Sequence, residues 1–439
     1  MGLIICFIIF IGAVIACILT GCTLVVALAV GLIVFFTYAM MKGNSFGSVS
    51  FMSWKGLSKG LIVVRILIII GLLTGVWRAS GTIAFFVYYG IKIISPSIFI
   101  IVAFLLTCFL SYAIGTSFGV AATVGVIFMA LARAGGVNEL ITAGTLMSGI
   151  YFGDRGSPAS SSAILVAAVT GTEHMDNVKR MAKYAAVPFA AVLAIYTGMS
   201  LSNPISKVDP SFIKALCAQF HISLWCAVPA VLMLILPICK VRVSYSMLAS
   251  IVSGMMISIA VEKITLTELL LTMLKGYNSN TQMGEIFNGG GLISMVEVIL
   301  IVALSSMYSG IFEDTDMLAV FQDKINRLID KIGKFPTMVI VSLILIALFC
   351  NQTLTTMMAS DMFKKPYEKR KASHEELASD IQNSLIVLSA VVPWSIACSV
   401  PLSFMGVGIG ALPFSFYLYL LPLIYGFEKL TKKGFCDRT

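Results

Sequence analysis

Charge is what this chain has least of. Asp, Glu, Lys and Arg make up 12% of its 439 residues, against 59% hydrophobic ones; a soluble domain carries roughly 25% charged residues. That scarcity excludes a water-soluble globular fold. No G-x-x-x-x-G-K-[ST] phosphate loop occurs. The longest polar stretches, 42–59 and 361–380, are too short to build a nucleotide-binding domain. A nucleotide-driven pump is therefore excluded, and nothing points to an enzyme. His174, His221 and His374 stand far apart, and ten cysteines lie scattered without ligand spacing. Neither a resident metal site nor a disulfide framework is expected, and no cofactor is implied. The first apolar run, Leu3–Leu19, lacks a preceding basic segment, so it reads as a retained helix rather than a cleaved leader.

What is present is a succession of apolar segments from residue 3 to residue 426. A helical span needs ~20 apolar residues, and several segments fall short of that. The reading is an all-α polytopic membrane protein with about 10–12 transmembrane helices, two inverted repeats and broken or re-entrant pieces. The net charge of +9 does not indicate nucleic acid. Its cations lie in short patches beside apolar runs, including Lys179–Lys183, Lys324–Lys334, Lys364–Lys371 and Lys429–Arg438. Such patches mark the cytoplasmic side of a bilayer, and the last one places the C-terminus there. The expected partners are the lipid bilayer of the cytoplasmic membrane and the transported solutes, with a homodimer as the candidate assembly.

The costliest feature for such a chain is Gly153-Asp154-Arg155-Gly156-Ser157-Pro158-Ala159-Ser160-Ser161-Ser162. It sets a carboxylate, a guanidinium, helix breakers and four hydroxyls between the apolar segments Leu146–Phe152 and Ala163–Val169. An ionisable pair inside a membrane segment usually lines a cavity that binds something. A carboxylate withdrawn from water could hold either a proton or sodium near neutral pH, which makes Asp154 the strongest candidate. Arg155 could pair with Asp154 or fork around a substrate carboxylate. Arg65 and Arg78 read as structural, Glu297 as an alternative titrating group, and the cluster Glu313, Asp314 and Asp316 as a solvated connection.

The order of motifs repeats. Ser80-Gly81, then Gly115-Thr116-Ser117, then the Asp154 stretch in the first half are followed by Ser309-Gly310, Asn351-Gln352-Thr353 and Val392-Pro393-Trp394 in the second. Thr116 precedes Asp154 by 38 residues, and Thr353 precedes Pro393 by 40. Two halves of this kind build the midplane site of secondary transporters. Neutral oxygens can replace a cation's water shell, so Thr116, Ser117, Asn351, Gln352 and Thr353 are candidate ligands, although Ser and Thr also serve helix packing. The expected site comprises Asp154, Arg155, Ser157, Ser160, Ser161, Thr116, Ser117, Asn351, Gln352, Thr353, Asn383, Pro393 and Trp394. Within it, Asp154, Thr116, Asn351 and Thr353 would hold sodium. The expected organisation is 1–60 (N-terminal helices and basic loop), 61–202 (first repeat), 203–290 (connecting helices), 291–427 (second repeat) and 428–439 (basic tail).

Ser148-Gly149-Ile150-Tyr151-Phe152-Gly153-Asp154-Arg155-Gly156-Ser157-Pro158 resembles the signature of NhaC-type sodium/proton antiporters, in the ion-transporter superfamily. Gly115-Thr116-Ser117, Gly144, Cys350-Asn351-Gln352-Thr353, Met362-Phe363, Tyr367-Glu368-Lys369-Arg370 and Pro393-Trp394 carry the same likeness, which spans about residues 60–427. It implies a cytoplasmic-membrane antiporter exchanging Na+ for H+, some relatives moving malate against lactate or amino acids instead. Members of that family often have Ser-Asp-Thr-Thr where this chain has Ser160-Ser161-Ser162-Ala163, and Glu-Asp-Ser where it has Gln382-Asn383-Ser384. The alternative to Na+/H+ exchange is therefore a sodium-coupled carrier of a small organic acid or amino acid. A passive channel is the third class, which paired interrupted helices disfavour.

Overall fold

A computed structural model describes residues 2–204, 210–279, 281, 284–315 and 322–436. Asp316, from the expected acidic connection, and residues 437–439 of the basic tail lie outside the described residues. The described chain is helical throughout and holds no β-strand, in agreement with the sequence; one isolated bridge joins Tyr277 to Gly289. Helix is the only open structure that satisfies its own backbone polar groups within hydrocarbon.

Along the chain the helices are α1 (Gly2–Thr20), α2 (Leu24–Met41), α3 (Phe46–Ala79) and α4 (Thr82–Ile93). Next come α5 (Phe99–Ile114), α6 (Ser117–Val120), α7 (Val126–Ala134), α8 (Glu139–Gly156) and α9 (Ser161–Thr170). The middle of the chain forms α10 (His174–Ser202), α11 (Pro210–Gln219), α12 (Val228–Ile238), α13 (Val243–Ala260), α14 (Leu266–Lys275) and α15 (Gly284–Phe287). Then follow α16 (Val296–Asp314), α17 (Gln322–Ile332), α18 (Lys334–Phe349) and α19 (Gln352–Lys369). The last are α20 (His374–Asn383), α21 (Leu385–Leu388), α22 (Ile396–Met405) and α23 (Phe416–Cys436).

Six stretches among the described residues are long and apolar enough to cross a bilayer: Leu24–Met41, Phe46–Ala79, Ser117–Ala134, His174–Ser202, Val243–Ala260 and Leu292–Phe312. The pair Ile213–Gln219 and Leu224–Ile238 bends by 90° and makes a seventh if it is one span. The 10–12 crossings expected from the sequence also draw on runs that fold as shorter apolar helices, among them Thr82–Ile93, Phe99–Ile114, Lys334–Phe349 and Ile396–Met405. At 1.5 Å per residue, a 16-residue helix reaches only about 24 Å, short of the ~30 Å hydrocarbon core.

The chain divides into two compact units that interleave in sequence. One comprises Met1–Arg65, Leu165–Glu173 and Val296–Ser399; the other comprises Ile66–Ile164, His174–Met295 and Val400–Thr439. In the first, Phe35 packs edge-on against Phe312 and tilted against Tyr308, with ring centroids 4.7 and 5.7 Å away. There α3 and α16 cross where Gly56 faces Gly310: a Cβ on either glycine would lie 2.8 Å from the other's backbone. Small residues permit this approach, the usual packing device between helices in lipid. In the second, α8 packs along α5, with Gly149 against Thr107 and Gly153 against Ser111. Ser111 also donates to the Ile150 carbonyl.

The internal repeat is real at the level of local backbone, and its register is tighter than the sequence suggested. Residues from Phe99 to Gly171 correspond one by one to residues 235 positions later, from Lys334 to Gly406. Helices α5 and α18 both run 16 residues and end in a left-handed residue, Gly115 (φ 71°) and Cys350 (φ 54°). Helices α7 and α19 end at Ala134 and Lys369, and two residues later come Gly136 (φ 65°) and Lys371 (φ 53°). Asn138 caps α8 as Ser373 caps α20. Helices α9 and α22 both run 10 residues, and Gly171 and Gly406, each at φ 69°, follow them.

Two sequence pairings change with this register. Thr116 corresponds to Asn351, not Thr353. Ser80-Gly81 lies at the break after α3, whereas Ser309-Gly310 lies inside α16, so these two are not equivalents. The repeats also differ locally: the π-helical turn Ala121–Gly125 has no counterpart in the continuous α19, and α8 is continuous through Gly149, whereas its counterpart is interrupted at Ser384 (φ −121°, ψ −79°) between α20 and α21.

Candidate functional site

Each repeat contains two breaks, and the polar residues singled out in the sequence collect there. At the first break the left-handed Gly115 stops α5, and Thr116 turns extended (φ −136°, ψ 123°) to cap α6. Its hydroxyl accepts from the Gly119 N–H at 3.0 Å. In the second repeat Cys350 stops α18, and Asn351 (φ −121°, ψ 114°) caps α19 by accepting from the Leu354 N–H at 3.2 Å. A residue without helical dihedrals and with a side-chain oxygen is what an N-cap requires. Ser117 is buried, Asn351 and Gln352 are half-buried, and Thr353 is exposed. The Gln352 amide donates to the Ile386 carbonyl at 3.1 Å.

At the second break α8 stops at Gly156 because Pro158 cannot continue it. The turn is closed by a serine. Ser160 Oγ donates back to the Asp154 carbonyl and accepts from the Ala163 N–H at 3.2 Å, which starts α9. In the other repeat Ser395 Oγ donates to the Ser389 carbonyl and accepts from the Cys398 N–H at 3.2 Å. Pro158 and Pro393 hold the same place, as do Ser160 and Ser395, again 235 positions apart. Ser157 donates to the Tyr112 carbonyl. At the corresponding carbonyl, that of Ala347, the donor is instead the Trp394 indole N–H, at 2.8 Å. Trp394 is thereby a structural fastener, its ring edge-on to Phe10 at 6.2 Å.

Asp154 is 2% exposed and lies in the last turn of α8. Ser162, in the first turn of α9, donates to its Oδ2 at 3.1 Å. The carboxylate therefore stands where two helix ends meet. The N-terminus of α9 stabilises the carboxylate's own charge, while the Gly153 and Asp154 carbonyls ending α8 accept from the Ser157 N–H and the Ser160 hydroxyl. This is the arrangement by which interrupted helices hold ions. Ser162 was absent from the sequence candidates; Ser161, which was included, is exposed. The signal available was spacing, since Ser162 lies beyond the Pro158 turn at the step that returns toward Asp154.

Arg155 is 1% exposed. Its Nη2 donates to the Met181 carbonyl at 2.9 Å, and its guanidinium lies 5.9 Å from the Tyr417 ring centre. It also lines a cavity of about 510 Å3, with Leu105, Phe109, Tyr112, Phe152 and Met181 among the walls. Ser157 and Asn383 are fully buried, the latter donating to the Ser379 carbonyl at 2.8 Å. Glu297 is exposed and accepts from Thr23. Among the described residues no group of three His, Cys, Asp or Glu side chains could hold a metal ion. An ion carried here would rest on one carboxylate and neutral oxygens.

Sequence reasoning missed a second buried carboxylate. Asp380 in α20 is 0% exposed, and the Tyr367 hydroxyl donates to its Oδ2 at 2.7 Å. The basic stretch Lys364–Lys371 drew the neighbourhood into a surface reading, and α20 begins with the polar run His374-Glu375-Glu376.

A helical membrane protein with paired broken helices and a carboxylate at one break is a secondary transporter in class. The sequence matches the Na+/H+ antiporter family over residues 1–202 and 180–427; the chain belongs to that family and is a multi-pass membrane transporter. It is 26% identical over 388 residues to an uncharacterized Na+/H+ antiporter of Haemophilus influenzae, covering 84% of this chain and 83% of that protein. It is also 26% identical over 389 residues to the malate-2H+/Na+-lactate antiporter of Bacillus subtilis, with 85% and 82% covered. To the Na+/H+ antiporter NhaC of the same organism it is 25% identical, with 84% and 86% covered.

Proposed function

We propose that this protein exchanges Na+ for H+ across the cytoplasmic membrane, with Asp154 as the residue that carries the two ions in turn. The observation that carries the reading is the buried Asp154 carboxylate between the end of α8 and the start of α9, with Ser162 on its Oδ2. In one state the carboxylate holds sodium together with the Ser162 hydroxyl and neighbouring carbonyls. In the other it holds a proton, and the two loads exclude each other because they occupy the same oxygens. Thr116 and Ser117, in the same unit as Asp154, are proposed to supply neutral oxygens as the ion passes; Asn351 and Gln352 are proposed to do the same at the corresponding break of their own unit. Helix breaks let these segments alter their angles without unfolding, which suits alternating exposure to the two sides.

The test is a reconstituted flux assay following pH and sodium together. Asp154→Asn removes the charge while keeping the shape, so sodium-driven proton movement should fall to the level of empty vesicles. Wild-type flux in that variant would remove Asp154 from the mechanism.

A second reading has its own support. The Arg155 guanidinium borders a cavity of about 510 Å3, enough for a small organic acid, and one relative is by name a malate/lactate antiporter. In that case sodium binding at Asp154 would be coupled to uptake of a carboxylate held by Arg155. Sodium-dependent uptake of labelled malate, lactate or an amino acid into the same vesicles separates the two readings.

A further inference from the structure

We propose that Asp380 is a second cation-carrying carboxylate, which loads a proton or sodium ion on the route between the protein surface and the broken helix at Asn351. The proposal rests on the antiport reading above and adds a site to it.

The repeat register makes the case. Asp154 in the first repeat corresponds to Ser389 in the second. Thr145 in the first corresponds to Asp380, and the Thr145 hydroxyl bonds the Ile141 carbonyl of its own helix at 2.8 Å and also meets the Tyr196 hydroxyl. Carboxylate and hydroxyl have thus changed places: each repeat keeps one fully buried acid, at different depths on the same helix. A carboxylate that merely braced the fold would have no reason to be reciprocal with the one at the ion site.

Polar groups lie on either side of Asp380 along α20. Lys334 Nζ lies 2.9 Å from Glu376 Oε1, and these side chains are 23% and 27% exposed. Lys334 Nζ also lies 5.6 Å from the centre of the Tyr367 ring, and the Tyr367 hydroxyl reaches Asp380. Glu376 precedes Asp380 by four residues on α20 and so shares its face. Titratable groups near Asp380 include Tyr367 from α19, Lys334 from α18 and Glu376 from α20; Arg370 is engaged by Asp330 at 2.6 Å. Inward, Asn383 lies one turn further along, Ser384 Oγ donates to the Asp380 carbonyl at 2.6 Å, and Gln352 ties the start of α19 to Ile386. An ion leaving Asp380 inward thus meets amide and hydroxyl oxygens on the way to the Asn351 break. The Tyr367 hydroxyl bonds Asp380 in the sodium-free state and is replaced as partner when sodium binds.

The experiment uses purified full-length protein in detergent and N,N′-dicyclohexylcarbodiimide, which modifies protonated carboxyl groups in apolar surroundings. Mass spectrometry of the Asp380 peptide should show labelling that falls at least tenfold as sodium, but not choline, is raised at fixed pH. In proteoliposomes Asp380→Asn should lose at least tenfold in coupled flux, and Tyr367→Phe should shift the pH of half-maximal flux by half a unit or more. Labelling of Asp380 that sodium leaves unchanged, or an absence of labelling there, overturns the proposal. So does an Asp380→Asn protein with wild-type rate and pH profile. If Asp380→Asn fails to fold, the sodium titration of the wild-type label decides. Asp154→Asn run in parallel separates the two ideas. Lost flux there with sodium-insensitive label at Asp380 sinks only this inference, and sodium-protected Asp380 in a protein without Na+/H+ exchange sinks only the antiport reading.

Discussion

Cys350 adopts at φ 54° the left-handed backbone that Gly115 adopts at φ 71°, 235 positions earlier in the chain. Both residues end a 16-residue helix, and both are followed by an extended N-cap. Glycine takes this conformation without steric cost, whereas a residue with a Cβ loses about 1–2 kcal/mol. The second repeat therefore stores strain where the first does not. It is held there by local bonds: the Tyr308 hydroxyl at 2.6 Å from Cys350 Sγ and the Ile396 N–H donating to the Cys350 carbonyl at 2.8 Å.

The same comparison predicts opposite responses to substitution. Gly115→Ala would add both the left-handed penalty and a Cβ pressed against Ala159 and the Ser160 N–H. It should lower stability by more than about 2 kcal/mol and reduce folded yield. Cys350→Gly relieves strain while losing the thiol contact with Tyr308, so it should stay within about 1 kcal/mol of wild type. Thermal unfolding in detergent, followed by tryptophan fluorescence, measures both; the reverse order would mean that Cys350 is not strained.

Ser160 and Ser395 should behave as a matched pair. Each hydroxyl donates to the carbonyl six residues back and accepts from the N–H three residues ahead. Ser160→Ala and Ser395→Ala should each cost about 1 kcal/mol, the usual loss of an N-cap. Threonine at either place should recover most of it. A large inequality between the two alanine variants in the same melting assay would show that the breaks are not mechanically equivalent.

Much of this was legible in the sequence, and the reasons differ by element. The polar breaks were visible because glycine, proline and clustered hydroxyls are costly in an apolar chain, so Thr116, Asp154 and Pro393 stood out at once. The register was not, because the two repeats use different residues for one role: Gly115 against Cys350, Thr116 against Asn351, Gly136 against Lys371. Matching like with like then pairs Thr116 with Thr353, two residues off. The short helices were not separable from full spans because hydropathy reports how apolar a run is, not whether its helix stops halfway. Asp380 escaped notice because its neighbours in sequence are charged, and burial of a polar helix depends on what the fold packs around it.

Ser162 rather than Ser161 should tune sodium binding. Ser162 donates to Asp154 Oδ2 at 3.1 Å, while Ser161 is exposed. A hydrogen bond to a charged group contributes about 1.5 kcal/mol, or roughly a tenfold change in affinity. Ser162→Ala should raise the half-saturating sodium concentration several-fold with little change in maximal rate. Ser161→Ala should leave both unaltered. A Ser161 effect as large as that of Ser162 would place the ion away from Asp154 Oδ2.

Arg155 offers the sharpest separation of a structural from a substrate role. Its Nη2 holds the Met181 carbonyl, its plane lies by Tyr417, and it is almost fully buried. Lysine keeps the charge but loses the planar fork that can serve two partners at once. If Arg155 fastens α8 to α10, then Arg155→Lys should lower the unfolding free energy by about 2 kcal/mol, a typical loss for a buried charge-assisted hydrogen bond. Na+/H+ exchange per folded molecule should then stay within about twofold, because the ion oxygens near Asp154 are untouched. If Arg155 instead grips an organic anion, the melting temperature should move little while uptake of the labelled acid collapses. Measuring unfolding and both fluxes on one preparation distinguishes the outcomes, and the buried contact to Met181 makes the first the expected one.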